Sequence, residues 1–231
     1  MGMGQDAAAD QVLDGLLRQR HSCRAFRSEP VPRPLIERML AIAQRTASWC
    51  NSQPWQIVVA SGAEAERFRD GLQAEIAAGI EDGPDIPWPL AYEGVYLSRR
   101  RECGYALYEA VGVARGDRAA GERQAAENFR LFGAPHVLIV TSEAKLGTYG
   151  LVDCGAYVGT VLLAAESLGI AAIPQAALAS RSGFIHRHFG IGEDRLVVCG
   201  ISFGFEDADH PANRFRTSRA PLSEAVTFVE G

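Results

Sequence analysis

The sequence predicts an α+β domain in which a small central sheet is sandwiched by helices. Two observations carry this reading. Short apolar runs of strand length alternate along the chain with segments whose apolar residues recur at helical spacing, and neither a linker nor an internal repeat interrupts them. The length, 231 residues of which 47% are hydrophobic, suits one large domain better than several. Strand direction is left open by the pattern.

The elements follow in order. Residues 1–10 read as a flexible tail, and the domain as residues 11–231. Val12, Leu13, Leu16 and Leu17 mark a helix running to about Arg18. A second helix opens near Pro32-Arg33-Pro34, where proline suits the first turn. It lines up Leu35, Ile36, Met39, Leu40 and Ala43 and stops near Thr46. Gln56 to Ala60 is a buried strand, and a helix from about Ala63 to Ala78 follows. In residues 83–98, Pro84, Pro87 and Pro89 forbid regular structure, while Trp88, Tyr92 and Tyr96 add rings to a pocket loop or an irregular wrap.

Helices are then expected over about Glu102 to Ala114 and Ala119 to Arg130, and a strand over Pro135 to Val140. Asp153 reads as the cap of a long helix to Leu168, apolar nearly all round and hence buried between two bodies. Ile170 to Ile173 and Leu196 to Phe205 are the last strands, with a short helix around Ser182 to Phe189 between them.

Composition narrows the function. A formal net charge of -5 gives no global footprint for nucleic acid. The five cysteines are widely spaced with no Cys-x-x-Cys, which fits neither a disulfide framework nor a zinc site and suggests a reducing compartment. His186 and His188, two apart on a helix, would point in different directions. No segment is expected to approach the roughly 18 to 20 apolar residues of a membrane span, and no secretory signal is seen, so a soluble cytoplasmic protein without membrane contact is expected.

Three short segments carry the chemistry. Arg20-His21-Ser22-Cys23-Arg24 and Arg216-Thr217-Ser218-Arg219 each set guanidinium groups beside a small hydroxyl. Arg offers phosphate oxygens a planar fork of donors that Lys cannot match. In an extended segment residues 20, 22 and 24 share a face, which reads Arg, Ser, Arg. His21 either contacts the anion or packs. The third segment, Ser48-Trp49-Cys50-Asn51-Ser52-Gln53-Pro54-Trp55, taken alone is a polar turn with an anchoring tryptophan. Cys23 and Cys50 read as small buried residues rather than nucleophiles, because nothing nearby supplies a base.

Together these segments resemble the flavin-dependent nitroreductase family. The likeness rests on Arg-His-Ser-x-Arg-x-Phe, then Ser-x-x-Asn-x-Gln-Pro-Trp, then Gly200-x-x-x-Gly204, the Asn213-Arg214 pair and Arg-x-Pro-Leu-x-Glu. It spans about residues 12 to 228. Arg99-Arg100-Arg101, Asn128 and Phe132-Gly133-Ala134-Pro135 are similar to the branch of nitrobenzoate and nitroaromatic reductases. The resemblance implies a mostly antiparallel sheet and an intertwined homodimer holding FMN at its interface.

By resemblance, Arg20 and Arg219 contact the flavin phosphate beside Ser22, and Arg24 reaches the pyrimidine edge or ribityl chain. Arg216 supports the phosphate cluster, since Thr217 stands where many relatives carry lysine. Ser48, Asn51 and Gln53 line the flavin from the partner subunit. Pro174, Gln175 and Ala176 match the turn along the reactive ring edge, where a backbone N–H can point at N5. The implied activity passes electrons from NADH or NADPH by a ping-pong cycle to a nitroaromatic, quinone or related acceptor. The flavin carries the hard step, so no catalytic side chain and no metal is required. The alternatives are reductive dehalogenation, enone reduction or flavin breakdown on the same fold, or a non-enzymatic flavin-binding module.

Overall fold

In this computed structural model, which describes residues 3–230 and side chains from residue 8, the four predicted apolar runs form one sheet. They are β1 (Trp55–Ser61), β2 (His136–Glu143), β3 (Ala171–Gln175) and β4 (Arg195–Gly204), in the order β1-β2-β4-β3. Every pairing is antiparallel, with Val58 opposite Ile139, Leu138 opposite Ile201 and Ile173 opposite Ser202. A bulge between Val140 and Thr141 shifts the β2–β4 register.

Because side chains alternate across a strand, each face of this sheet is apolar and each needs a cover. Leu138, Val140, Ile201 and Phe203 face α2 (Arg33–Ala43) and α6 (Gly147–Ser167), burying Met39, Tyr157 and Val161. Val137, Ile139 and Val197 face α3 (Ala63–Ala77), the short α7 (Ala176–Ala179) and α8 (Ser182–Phe189), burying Phe68, Leu72, Leu178 and Ile185. Fully burying one such side chain contributes about 1.5–3 kcal/mol. The sandwich expected from the sequence is therefore present.

Several boundaries differ from expectation. The first helix, α1 (Met3–Gln19), includes residues 3–10 of the expected tail; Met1 and Gly2 lie outside the described residues. Helix α4 runs Gly94–Ala110 rather than from Glu102, because the last proline of the preceding loop, Pro89, leaves the chain free to turn helical. Helix α5 (Arg118–Ala126) is capped by Asp117, whose carboxylate accepts the Ala120 N–H at 2.9 Å. It gives way to a 3-10 stretch, Glu127–Gly133, in which Leu131 and Phe132 turn left-handed.

Asp153 is not a cap. Helix α6 starts six residues earlier at Gly147, whose φ of 54° makes the turn into it, and Asp153 is buried mid-helix with another task. The same helix corrects the membrane expectation. Residues 144–167 contain an 18-residue window of mean hydropathy 1.3, long and apolar enough to cross a bilayer, yet this is the core helix packed on the sheet.

Candidate functional site

The segment after α1 is tied along the ends of two strands. Ser22 bridges Ala172 of β3, the Cys23 N–H donates to the Ala172 carbonyl at 3.2 Å, and the Arg27 N–H to the Phe205 carbonyl at 2.8 Å. Alternation then sorts the side chains. Cys23 and Ala25 go inward and are buried, while Arg20, Ser22 and Arg24 line a cavity of about 830 Å³. Burial pushes the Cys23 thiol up to about 12, so it is a neutral donor, to the Ala25 carbonyl at 3.1 Å. Cys50, by contrast, is exposed and not buried as expected, because its left-handed backbone turns it out of the loop.

The other wall of the cavity is the C-terminal segment. Phe215, Arg216, Thr217 and Arg219 join Arg18, Arg20, His21, Ser22, Arg24, Leu17 and Cys103. The two extremities of the chain are joined by Asn213, which is 2% exposed: its Oδ1 accepts the Arg24 N–H at 2.6 Å, and its Nδ2 donates to the Ala25 and Asp207 carbonyls at 2.9 and 2.8 Å.

Charge fixes what this cavity can hold. Five guanidinium groups line it and no carboxylate does. Arg18 is paired with Asp14, but Arg20, Arg216 and Arg219 have no acidic partner among the described residues; Arg216 and Arg219 donate only to backbone carbonyls and the Thr217 hydroxyl. On a chain of net charge -5, such a concentration of unpaired cations suits a multiply charged anion. His21 is held by Glu206, Nε2 to Oε1 at 3.0 Å, with Nδ1 3.3 Å from the Gln19 carbonyl, so it braces the rim.

Arg24 links this cavity to a second one. Burial lowers its guanidinium below the usual value without discharging it; the group lies 5.3 Å from the Phe215 ring centroid and donates to the Ser22 carbonyl at 3.1 Å. The adjoining cavity, about 280 Å³, is lined by Arg24, Tyr108, Asn128, Phe132, Pro174, Gln175 and Ala176 among others. Gln175 contributes backbone rather than a side-chain amide: that amide is buried, accepting from Ser202 Oγ and donating to the Asn128 carbonyl at 2.8 Å. Phe132 enters the wall from a left-handed backbone (φ 53°), while its neighbour Leu131, also left-handed (φ 57°), is buried in the core. Arg69 fixes that turn by donating to the carbonyls of Arg130 at 3.1 Å and Ala134 at 2.7 Å. Asn213, Phe215, Asn128 and Ser202 in these roles are not readable from spacing; the family resemblance singles out Asn128 and the Asn213-Arg214 pair without giving either a role.

Ser48, Asn51 and Gln53 are not part of either cavity wall. They sit on an exposed loop at the start of β1, beside α6. Cys50, Asn51 and Gln53 all have left-handed backbone (φ 49°, 56° and 46°), a conformation costing about 1–3 kcal/mol per non-glycine residue. Local bonds shape the loop: the Gln53 N–H donates to Ser48 Oγ at 3.0 Å, and Gln53 Nε2 to Asn51 Oδ1 at 3.1 Å.

Known proteins match this chain over both the sheet and the site. The nitroreductase family model matches residues 17–205. The nitroreductase NfnB of Mycolicibacterium smegmatis is 33% identical over 221 residues, covering 94% of this chain and 93% of the relative. A 4-nitrobenzoate reductase of a Nocardioides species is 33% identical over 225 residues, 96% of this chain and 91% of the relative. Among solved structures, the FMN-dependent nitroreductase NfnB from Mycobacterium smegmatis in complex with NADPH superposes with a TM-score of 0.91 at 32% identity, covering 96% of this chain and all of that one. An FMN- and NADPH-dependent NfnB from a Sphingopyxis strain gives 0.90 at 32% identity, over 94% and 99%. A match that begins in the helix before the Arg20 segment and runs past the last strand places this chain in the nitroreductase family.

Proposed function

We propose that this chain is an FMN-dependent oxidoreductase that takes electrons from NADPH or NADH and reduces nitroaromatic, quinone or related acceptors. The observation that carries the reading is the acid-free cavity of five guanidiniums, joined through Arg24 to the Pro174–Ala176 turn, in a nitroreductase-family chain. The relatives named above are FMN-dependent nitroreductases, one in complex with NADPH, and a 4-nitrobenzoate reductase.

FMN fits the donor set. Arg20, Arg219 and Arg216, with Ser22, would hold the phosphate, and Arg24 would face the ribityl chain or pyrimidine edge, favouring negative charge there. The Pro174-Gln175-Ala176 backbone would lie along the ring, its shape held by Gln175 between Ser202 and Asn128. Bound FMN supplies the electron relay between donor and acceptor. The protein's own part is to grip the anion, hold the ring and balance its charge. No side-chain acid, base or nucleophile is assigned, consistent with a Cys23 thiol raised to about 12.

The working unit is a homodimer of single FMN-binding domains (residues 11–231). Ser48, Asn51 and Gln53 stand outside their own subunit's cavity, and Trp49, Tyr149 and Val152 beside them are 57–60% exposed, which supports an interface there. Three of the five free cysteines are buried, in keeping with a reducing, cytoplasmic setting. The test is the visible spectrum of the purified protein reconstituted with FMN, followed by rapid mixing with NADPH or NADH. Flavin bands that bleach within seconds, and return when nitrobenzoate is added, are expected. A protein that ignores FMN overturns the reading.

A further inference from the structure

Two ionic side chains are buried deep in the fold away from the guanidinium cavity, Asp153 at 9% exposure and Arg195 at 7%, and both reach the same loop. From α6, Asp153 accepts the Trp49 N–H at 3.1 Å on Oδ2 and the Ser52 hydroxyl at 3.4 Å. From β4, Arg195 donates to the Pro54 carbonyl at 2.8 Å, its Nε and Nη2 also reach Thr141, and its Nη1 lies 4.0 Å from the Glu143 carboxylate. The left-handed residues Cys50, Asn51 and Gln53 lie between these anchors. Trp49 also packs edge-on against Tyr149 of α6 at 4.3 Å, and Gln44 donates to Gln53 Oε1 at 3.0 Å. At Gly150 of α6 a Cβ would stand 2.8 Å from Ser142 Oγ, so the missing side chain lets the helix lie close on β2, with Pro54 of the loop base 3.7 Å from the same point.

Burying a carboxylate and a guanidinium is costly unless each is satisfied by specific donors and acceptors. These two are not paired with each other. Asp153 is satisfied by the loop, and Arg195 by the loop base together with Thr141 and the nearby Glu143 carboxylate. A solvent-exposed loop that only joined α2 to β1 would relax out of three unfavourable backbone conformations, and this one is held in them from both ends.

We infer that Asp153 and Arg195 are positioning residues, which preset the Ser48–Gln53 loop in the shape that the neighbouring subunit's flavin site receives. The inference rests on the FMN homodimer reading above and adds which residues prepare the donated half of the site.

The test is subunit complementation, read as FMN affinity from flavin fluorescence on dimers of verified mass. Asp153→Ala and Arg219→Ala homodimers are each expected to bind FMN about 10- to 100-fold more weakly than wild type. In a mixed dimer carrying one of each, the Asp153→Ala subunit keeps its own guanidinium cavity and receives an unaltered loop from its partner. One site per dimer should therefore regain wild-type affinity. A merely stabilising role would lower thermal stability without producing this pattern. Wild-type affinity in the Asp153→Ala homodimer, or no restored site in the mixed dimer, overturns the inference. Wild-type affinity in the Arg219→Ala homodimer removes Arg219 from the underlying site assignment instead, and a wild-type dimer that ignores FMN overturns the FMN reading. Should Asp153→Ala fail to fold, Asp153→Leu, which fills the same space and removes both acceptors, is used in its place. Wild-type affinity in folded Asp153→Leu and Arg195→Met dimers would overturn the inference.

Discussion

The side-chain amide of Asn213 accepts the backbone N–H of Arg24 at 2.6 Å, joining positions 189 residues apart in sequence. The same amide donates to the carbonyls of Ala25 and Asp207, so one buried group holds the two chain ends that form the guanidinium cavity. Asn213→Ala would leave the Arg24 N–H without its acceptor and take one donor from each of the Ala25 and Asp207 carbonyls, which keep the Asp207 and His210 N–H groups. Stability should fall by about 2–3 kcal/mol in urea unfolding, and FMN affinity should fall with it. Asn213→Asp should be no better, since a carboxylate oxygen would then face two carbonyls. Unchanged stability would show that water replaces the amide and that the chain ends are held elsewhere.

Arg219 separates binding from folding. It is exposed and its guanidinium reaches only Thr217 and Ser218, so Arg219→Ala should change stability by no more than about 0.5 kcal/mol. A charge-assisted phosphate contact is worth about 1.5–3 kcal/mol, so FMN affinity should drop about 10- to 150-fold. Arg219→Lys should recover part of that loss, because the charge returns without the fork. Titration of apoprotein with FMN reads both values, and full retention by Arg219→Ala would remove this residue from the site.

Arg24 is the cation shared by both cavities. If it stabilises charge on the reduced ring, Arg24→Met should make the two-electron potential of bound flavin more negative by about 30–60 mV. The methionine keeps apolar contact with Phe215, and Arg24→Lys should restore most of the potential. A potential unmoved by Arg24→Met would place the guanidinium away from the redox-active ring.

Much of this was legible in the sequence, for identifiable reasons. The strands were visible because both sheet faces are covered, which makes Ile57-Val58-Val59 and Val137-Leu138-Ile139-Val140 continuous apolar runs. Helix α8 was found to the residue because its apolar stripe is clear and Gly190, left-handed at φ 65°, ends it. Helix α4 was misplaced because its sequence, with three consecutive arginines and apolar residues that form no stripe, carries almost no amphipathic signal, and none of its residues is buried.

The cavity arginines were legible because phosphate chemistry restricts residue type and strand alternation fixes the face. The supporting shell was not. Asp153 looks like a helix cap in sequence and becomes a loop anchor only when α6 begins early enough to bring residue 153 beside Trp49. Arg195 lies 141 residues from the Pro54 carbonyl it holds, a distance no local pattern encodes. The antiparallel pairing likewise depends on long-range register, and came from family resemblance rather than from periodicity.

His186 gives the fold a pH dependence of predictable sign. Its Nε2 lies 2.8 Å from Asp85 Oδ2 and its Nδ1 3.1 Å from the Ile191 carbonyl, two acceptors that call for a doubly protonated ring. Burial lowers its pKa, but the Asp85 carboxylate and the Ile191 carbonyl outweigh that and leave it above the usual 6.5. The unfolded chain loses this proton first as pH rises. The stabilising contribution is therefore full below about pH 6.5 and disappears as pH climbs through the raised folded value. Asp85 also accepts the Val197 N–H at 2.7 Å, so the contact pins the start of the proline-rich loop to the sheet. His186→Gln should lower stability clearly at about pH 6 and much less at about pH 9. Cleavage within residues 86–92 should become faster in the variant at the lower pH. His136, whose pKa is lowered by burial, has the opposite sign, but it is common to both proteins and cancels in the difference. A stability difference that stays constant across this range would mean that the ring is held neutral, with Asp85 pinned by the Val197 N–H and the Ser182 hydroxyl.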